Sequence, residues 1–180
     1  PHVLHDLADA GITDAQIRFV CATGCHGALN RLDFVKKLGE NVLERFPVYN
    51  HNPFSNCIPV GKTKTFGTEV LVNEEVMKCD LKIAIGGVVP HGMSGFGGGG
   101  KIILPGVASF ETTKHNHHIV QRELPPGTVG MGIFDDNPVR MDIEEAATLA
   151  GLDFIINALY NKWGETAQVF AGALKLAYAA

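Results

Sequence analysis

The chain has 180 residues, enough for one domain with a buried core, and its 46% apolar and 19% charged composition is that of an ordinary globular protein. A net charge of −4, with no block of like charges, excludes a general attraction to nucleic acid or to an anionic membrane. No apolar run reaches the roughly 18 residues of a membrane span, and Cys21, Cys25, Cys57 and Cys79 form no C-x-x-C pair, so the expectation is a reduced, cytoplasmic protein.

Taken in order, residues 2–10 place Val3, Leu4, Leu7 and Ala8 on one helical stripe, and Gly11 is a natural stop. Residues 17–22 are almost continuously apolar, as in a strand covered on both faces. Thr23-Gly24-Cys25-His26-Gly27 breaks that run, and a helix is expected from Leu29 to Leu38. Strand, glycine turn and helix form the repeating unit of an α/β fold. Ligands of such folds sit at the carboxyl ends of strands, where His26 falls. Pro47, Pro53 and Pro59 predict only short extended pieces over 46–66. A strand over 68–72, a short helix over 74–79 and a strand over 81–85 follow, the last ended by Gly86-Gly87. A helix from Val107 to about Gln121 carries His115, His117 and His118. Then come a short strand over 130–134, a helix opened by Asn137-Pro138 and running to Ala150, a strand over 152–159 and a final helix over 166–177. This order predicts an α/β fold: a Rossmann-like layered sheet with flanking helices, forming a single domain over 1–180.

The stretch from His91 to Gly106 is half glycine and proline, with Gly95, Gly97, Gly98, Gly99 and Gly100 within six residues and Lys101 at the end of the run. Such a run costs chain entropy and lets backbone or ligand approach closely. Gly95-x-x-x-x-Gly100-Lys101 resembles a phosphate loop, but Ile102 stands where that loop needs a magnesium-binding hydroxyl, and Pro105 opposes the helix that should follow. Gly95-x-Gly97-x-x-Gly100 fits a dinucleotide fingerprint only formally, because the preceding strand ends too early. In the histidine cluster, His115 and His118 share a helical face and His117 points elsewhere, so one metal ion cannot take all three. His26 and His91 both follow strands and suit proton transfer near neutral pH.

The stretch from His91 through Lys101 to Gly106, with His117 sixteen positions after the lysine, resembles the central motif of the lactate racemase family. Ala22-Thr-Gly-Cys-His26 is similar to its upstream histidine motif, and 137–146, 153–157 and 170–172 resemble its later landmarks. The resemblance implies a nickel-pincer nucleotide, a pyridinium-3,5-bisthiocarboxylic acid mononucleotide, joined to Lys101 by a thioamide and passed over by the backbone of Gly97, Gly98, Gly99 and Gly100. It implies His117 as the nickel ligand, with the cofactor's own sulfur and carbon atoms completing the coordination, and His26 and His91 as an acid/base pair. The implied activity is racemisation or epimerisation at C2 of a small 2-hydroxy acid, after loading by cofactor-synthesis proteins. An epimerase of a larger polyhydroxy acid, or a non-catalytic nucleotide- or metal-binding module, is the alternative. Family members carry an upstream Asp-x-Thr-Arg-type segment and a C-terminal domain with no counterpart here. The chain is therefore expected to be the core of an N-terminal domain and, by itself, nearly inactive.

Overall fold

The computed structural model describes residues 2–119 and 124–174. The chain folds as mixed α/β, and two parallel strand pairs organise it. Strand β1 (Phe19–Cys21) lies beside β2 (Val48–Asn50), and β5 (Ile83–Val88) beside β9 (Phe154–Tyr160). The link from β1 to β2 is helical, through α2 (Arg31–Leu38) and α3 (Glu40–Arg45), as a parallel connection requires. Antiparallel pairing fills in the rest. β3 (Cys57–Lys62) pairs with β4 (Glu69–Asn73), β6 (Pro90–His91) with β7 (Ser94–Phe96), and β9 with β10 (Thr166–Gly172). The two-residue β8 (Gly130–Met131) joins β7 in parallel. Among the described residues the strands divide into four small sheets, so the layered sheet of the sequence reading is not continuous.

Helix boundaries follow from side-chain caps. Asn30 accepts from the N–H groups of Leu32 and Asp33 and starts α2 two residues later than expected. Ser109 accepts from Thr112 N–H, so α5 spans Phe110–His118 rather than starting at Val107; its expected end at Gln121 lies outside the described residues. Asn137 accepts from Val139 and Arg140 N–H, Pro138 occupies the first turn, and α6 runs over Pro138–Leu149 as read from the sequence.

The buried face of α6, with Val139, Ile143, Ala146 and Ala147, closes over a 3-10 turn at Gly99–Ile102 and joins Val70, Val72, Leu104 and Ile155 in one core. Burying a side chain such as Ile143 contributes about 1.5–3 kcal/mol. The same helix carries Asp142 inward, fully buried, where Thr63 Oγ1 (2.6 Å), Thr68 Oγ1 (2.9 Å) and Asn116 Nδ2 (2.9 Å) donate to it. One helix thus ties β3, β4 and α5 together.

Two expectations are corrected. Residues 166–172 form a strand and not a helix; the continuation to 177 lies outside the described residues beyond 174. The cause is a hairpin. Asn161 Oδ1 accepts from Trp163 and Glu165 N–H, Gly164 adopts φ +79°, and β10 folds back onto β9. Pairing across that turn outweighs the local helical pattern. Gly86 and Gly87 also lie inside β5 instead of ending it. A Cβ at Gly86 would stand 2.9 Å from Ile102 Cδ1, and one at Gly87 2.5 Å from Tyr160 Cε2, so glycine lets both neighbours pack on the strand.

Candidate active site

The glycine stretch is a short folded device. Pro90-His91 turns back on Gly95-Phe96, and Gly97 N–H donates to Val89 O at 2.7 Å. The chain then passes through Gly98 at φ +73° into the 3-10 turn that delivers Lys101. Gly97 through Gly100 are all buried. The missing side chains of Gly97, Gly98 and Gly100 face the protein itself. A Cβ at Gly97 would meet Gly87 O at 3.1 Å, one at Gly98 would meet Asn157 Oδ1 at 2.8 Å, and one at Gly100 would meet Glu144 Oε1 at 3.1 Å. The chain's own packing therefore accounts for Gly97, Gly98 and Gly100. Asn157 also accepts from Gly99 N–H, at 3.3 Å.

Arg140 clamps the loop from α6. Its guanidinium donates to Phe96 O (3.2 Å) and Gly98 O (3.4 Å), pairs with Glu144 at 2.5 Å and lies over the Phe134 ring. With its side chain only 2% exposed, this arginine is a fixed internal cation, and the partnered carboxylate and carbonyls compensate its desolvation. Sequence reading treated Arg140 only as a landmark. The available signal was an arginine and an aspartate two apart among the apolar residues of α6.

Lys101 feels that cation. Burial first, and the Arg140 charge second, lower its ammonium from the ordinary 10.5 to about 8. About a tenth is then free amine at pH 7, far more than an ordinary lysine offers, and the free amine is the form that can attack an acyl carbon. His91 lies below the ordinary imidazole range because of burial and then the nearby charges of Lys101, His117 and Arg140. His117 is lowered as well, by burial above all, with Lys101 and His118 adding to it and a hydrogen bond to Thr113 opposing. That bond, Nδ1 to Thr113 O at 2.8 Å, fixes the neutral tautomer of His117. Nδ1 carries the proton, and Nε2 keeps its lone pair for a metal or an incoming proton.

His26 follows β1 in an exposed turn, as its position after a strand suggested. It shares with His117 an open cavity of about 360 Å³, lined also by Cys25, Pro105, Phe110 and His118. The chain thus brings His26 to His117, and His117, His91 and Lys101 into one electrostatic neighbourhood. The face assignment within the cluster is corrected. His115 turns toward the core, with Nδ1 2.8 Å from Thr68 Oγ1, while His117 and His118 line the cavity together. Among the described residues, no group of three or more His, Cys, Asp or Glu side chains is arranged to hold a metal ion. No helix among them is long and apolar enough to cross a membrane.

An α/β frame here presents a low-pKa lysine at the end of a buried glycine loop, in the electrostatic neighbourhood of His91 and His117, an arrangement chemically capable of covalent attachment or proton transfer. The sequence profile of the lactate racemase N-terminal domain family matches residues 1–125, and the chain belongs to that family. It is 31% identical over 160 residues to the lactate racemase of Thermoanaerobacterium thermosaccharolyticum, a match covering 88% of this chain and 37% of that one. It is 30% identical over 167 residues to the lactate racemase of Lactiplantibacillus plantarum, covering 92% and 39%. The solved apoprotein of the Thermoanaerobacterium lactate racemase superposes with a TM-score of 0.84 at 28% identity, over 92% of this chain and 39% of that one. A Thermotoga maritima protein solved by structural genomics superposes with a TM-score of 0.77 at 26% identity, over 98% of this chain and 47% of that one. The chain thus spans 37–39% of the length of the curated relatives it matches.

Proposed function

We propose that this chain is the cofactor-bearing part of a cytoplasmic 2-hydroxy acid racemase, acting on a lactate-like substrate with a nickel-pincer nucleotide attached to Lys101. The observation that carries this reading is the Lys101 amine, half-buried and lowered to about 8, at the end of a loop held rigid by Arg140. Its free amine has the chemistry to form the amide-type link, and His117 Nε2 has the lone pair to ligate nickel. The residues present fit the group in both respects. Loading requires cofactor-synthesis proteins, and the residues beyond this chain's share of a racemase-length protein complete the site.

When bound, the nickel-pincer nucleotide supplies an acceptor for the C2 hydrogen. The chain's residues handle the hydroxyl proton. The two enantiomers present their hydroxyls on opposite sides, so racemisation needs two proton carriers, and His26 and His91 are assigned to these roles. Burial keeps His91 neutral near pH 7. Lys101 and Gly97 to Gly100 are assigned to holding the cofactor and are not asked to move a proton.

The test is a comparison of variants in the longer protein, loaded with cofactor. His26→Ala and His91→Ala abolish racemisation and keep nickel; His117→Ala loses nickel. Nickel retained by His117→Ala, or racemisation retained by both other variants, contradicts the assignment.

A further inference from the structure

Helix α5 lays one stripe along the cavity that holds His26. Phe110, Thr113, Lys114 and His117 stand at the i, i+3, i+4 and i+7 positions of one helical face, and all four line it. Phe110 lies two turns from His117, about 10 Å along the helix axis. A substrate reacting beside His26 and His117 therefore lodges its C2 substituent in the rest of the cavity, where Phe110 stands. That wall is apolar and braced. Phe110 N–H donates to Pro53 O at 2.8 Å, and its ring packs on Phe54 with centroids 5.2 Å apart. Phe54 is held there by its own turn, its N–H donating to Asn52 Oδ1 at 3.0 Å, although the side chain is 73% exposed. Pro105 adds a second apolar side chain to the lining. Thr113 brings a hydroxyl to the stripe, but Oγ1 is buried, without a partner among the described residues, and has no surface to offer a ligand. Lys114 is a cation and suits the carboxylate that every 2-hydroxy acid carries, so it does not tell one such acid from another.

We propose that Phe110, braced by Phe54, is a specificity-determining residue that selects 2-hydroxy acids with a short alkyl substituent on C2 over polyhydroxy acids. The proposal rests on the racemase reading and, within it, favours the lactate-like substrate over the larger polyhydroxy acid. A hydroxyl carried against this wall loses its water and finds no partner in exchange. The selection is moderate, because an apolar wall rejects an added hydroxyl by only about tenfold to hundredfold.

The racemase-length protein, loaded with cofactor, is assayed on 2-hydroxybutyrate and on 2,4-dihydroxybutyrate, which adds one terminal hydroxyl. The ratio of their kcat/KM values should favour the first by about tenfold to hundredfold. Phe110→Ser should cut that ratio about tenfold, and Phe110→Leu, which keeps an apolar wall, should retain it. A second readout needs no cofactor. Cys25 is exposed and lines the same cavity, so its alkylation by iodoacetamide, located by peptide mapping, reports occupancy. In the same protein without cofactor, 2-hydroxybutyrate should slow that alkylation at concentrations where 2,4-dihydroxybutyrate does not, and Phe110→Ser should erase the difference. Equal turnover of the two acids by the parent, a parent ratio preserved in Phe110→Ser, or equal protection of Cys25 by both acids overturns the proposal. Because Cys25 is read without cofactor, a preference there in a protein that racemises neither acid counts against the racemase reading alone.

Discussion

Alanine at Gly98 tests whether the chain's own packing dictates the glycine run. Gly98 sits at φ +73° and ψ −171°, a region that essentially only glycine enters, and forcing alanine there costs about 1–3 kcal/mol. The new Cβ would also lie 2.8 Å from Asn157 Oδ1 and 3.2 Å from Gly87 O. Asn157 is 1% exposed and cannot swing into solvent, so relief breaks its bond from Gly99 N–H, worth about 1 kcal/mol. The expected loss is about 2–4 kcal/mol, or a fall in urea midpoint of about 1–2 M at ordinary slopes. Gly92 is the control. It lies in the same stretch, with nothing within 4 Å of an added Cβ, and Gly92→Ala should stay within about 0.5 kcal/mol of the parent. Urea denaturation followed by circular dichroism compares the two. If Gly98→Ala and Gly92→Ala unfold together, the packing account of the loop is wrong.

Three further outcomes are expected. Asp142→Ala leaves the Thr63 hydroxyl and the Asn116 amide without their buried acceptor and should cost about 3 kcal/mol in the same assay. The lowered Lys101 leaves the folded state with fewer protons than the unfolded one between pH 8 and 10.5, so stability rises across that window; Lys101→Met should flatten the rise. His51 is buried, with Nε2–H donating to Ala108 O and Nδ1 accepting from Asn73, and its pKa is lowered mainly by burial. The unfolded chain then takes up that proton first, so stability falls as the pH drops below 6.5, and His51→Gln should reduce the dependence.

Much of the frame was legible because caps and glycine turns act locally. Asn137-Pro138 set the start of α6 in the sequence as in the fold, and the strand before His26 was visible as an apolar run. What escaped was non-local. The β10 segment, Thr166 to Gly172, becomes a strand only through β9, across a turn whose Asn161 and Gly164 were readable signals passed over. Gly86 and Gly87 read as punctuation because Ile102 and Tyr160, which need their missing side chains, lie far along the chain. In the site, residue types and spacing singled out Lys101 and His91, while His117 was picked from its cluster only by the family resemblance. Spacing could not show that Arg140 lies close enough to depress Lys101, nor that Thr113 O fixes the tautomer of His117, since both depend on the folded geometry.

Intact-mass analysis tests the central claim most directly. The racemase-length protein is produced together with the cofactor-synthesis proteins, and its mass is compared with that of Lys101→Ala. The account predicts an adduct of nucleotide mass that peptide mapping locates on Lys101, accompanied by bound nickel and absent from the variant. A protein that emerges unmodified and free of nickel, or an adduct that survives in Lys101→Ala, would contradict it.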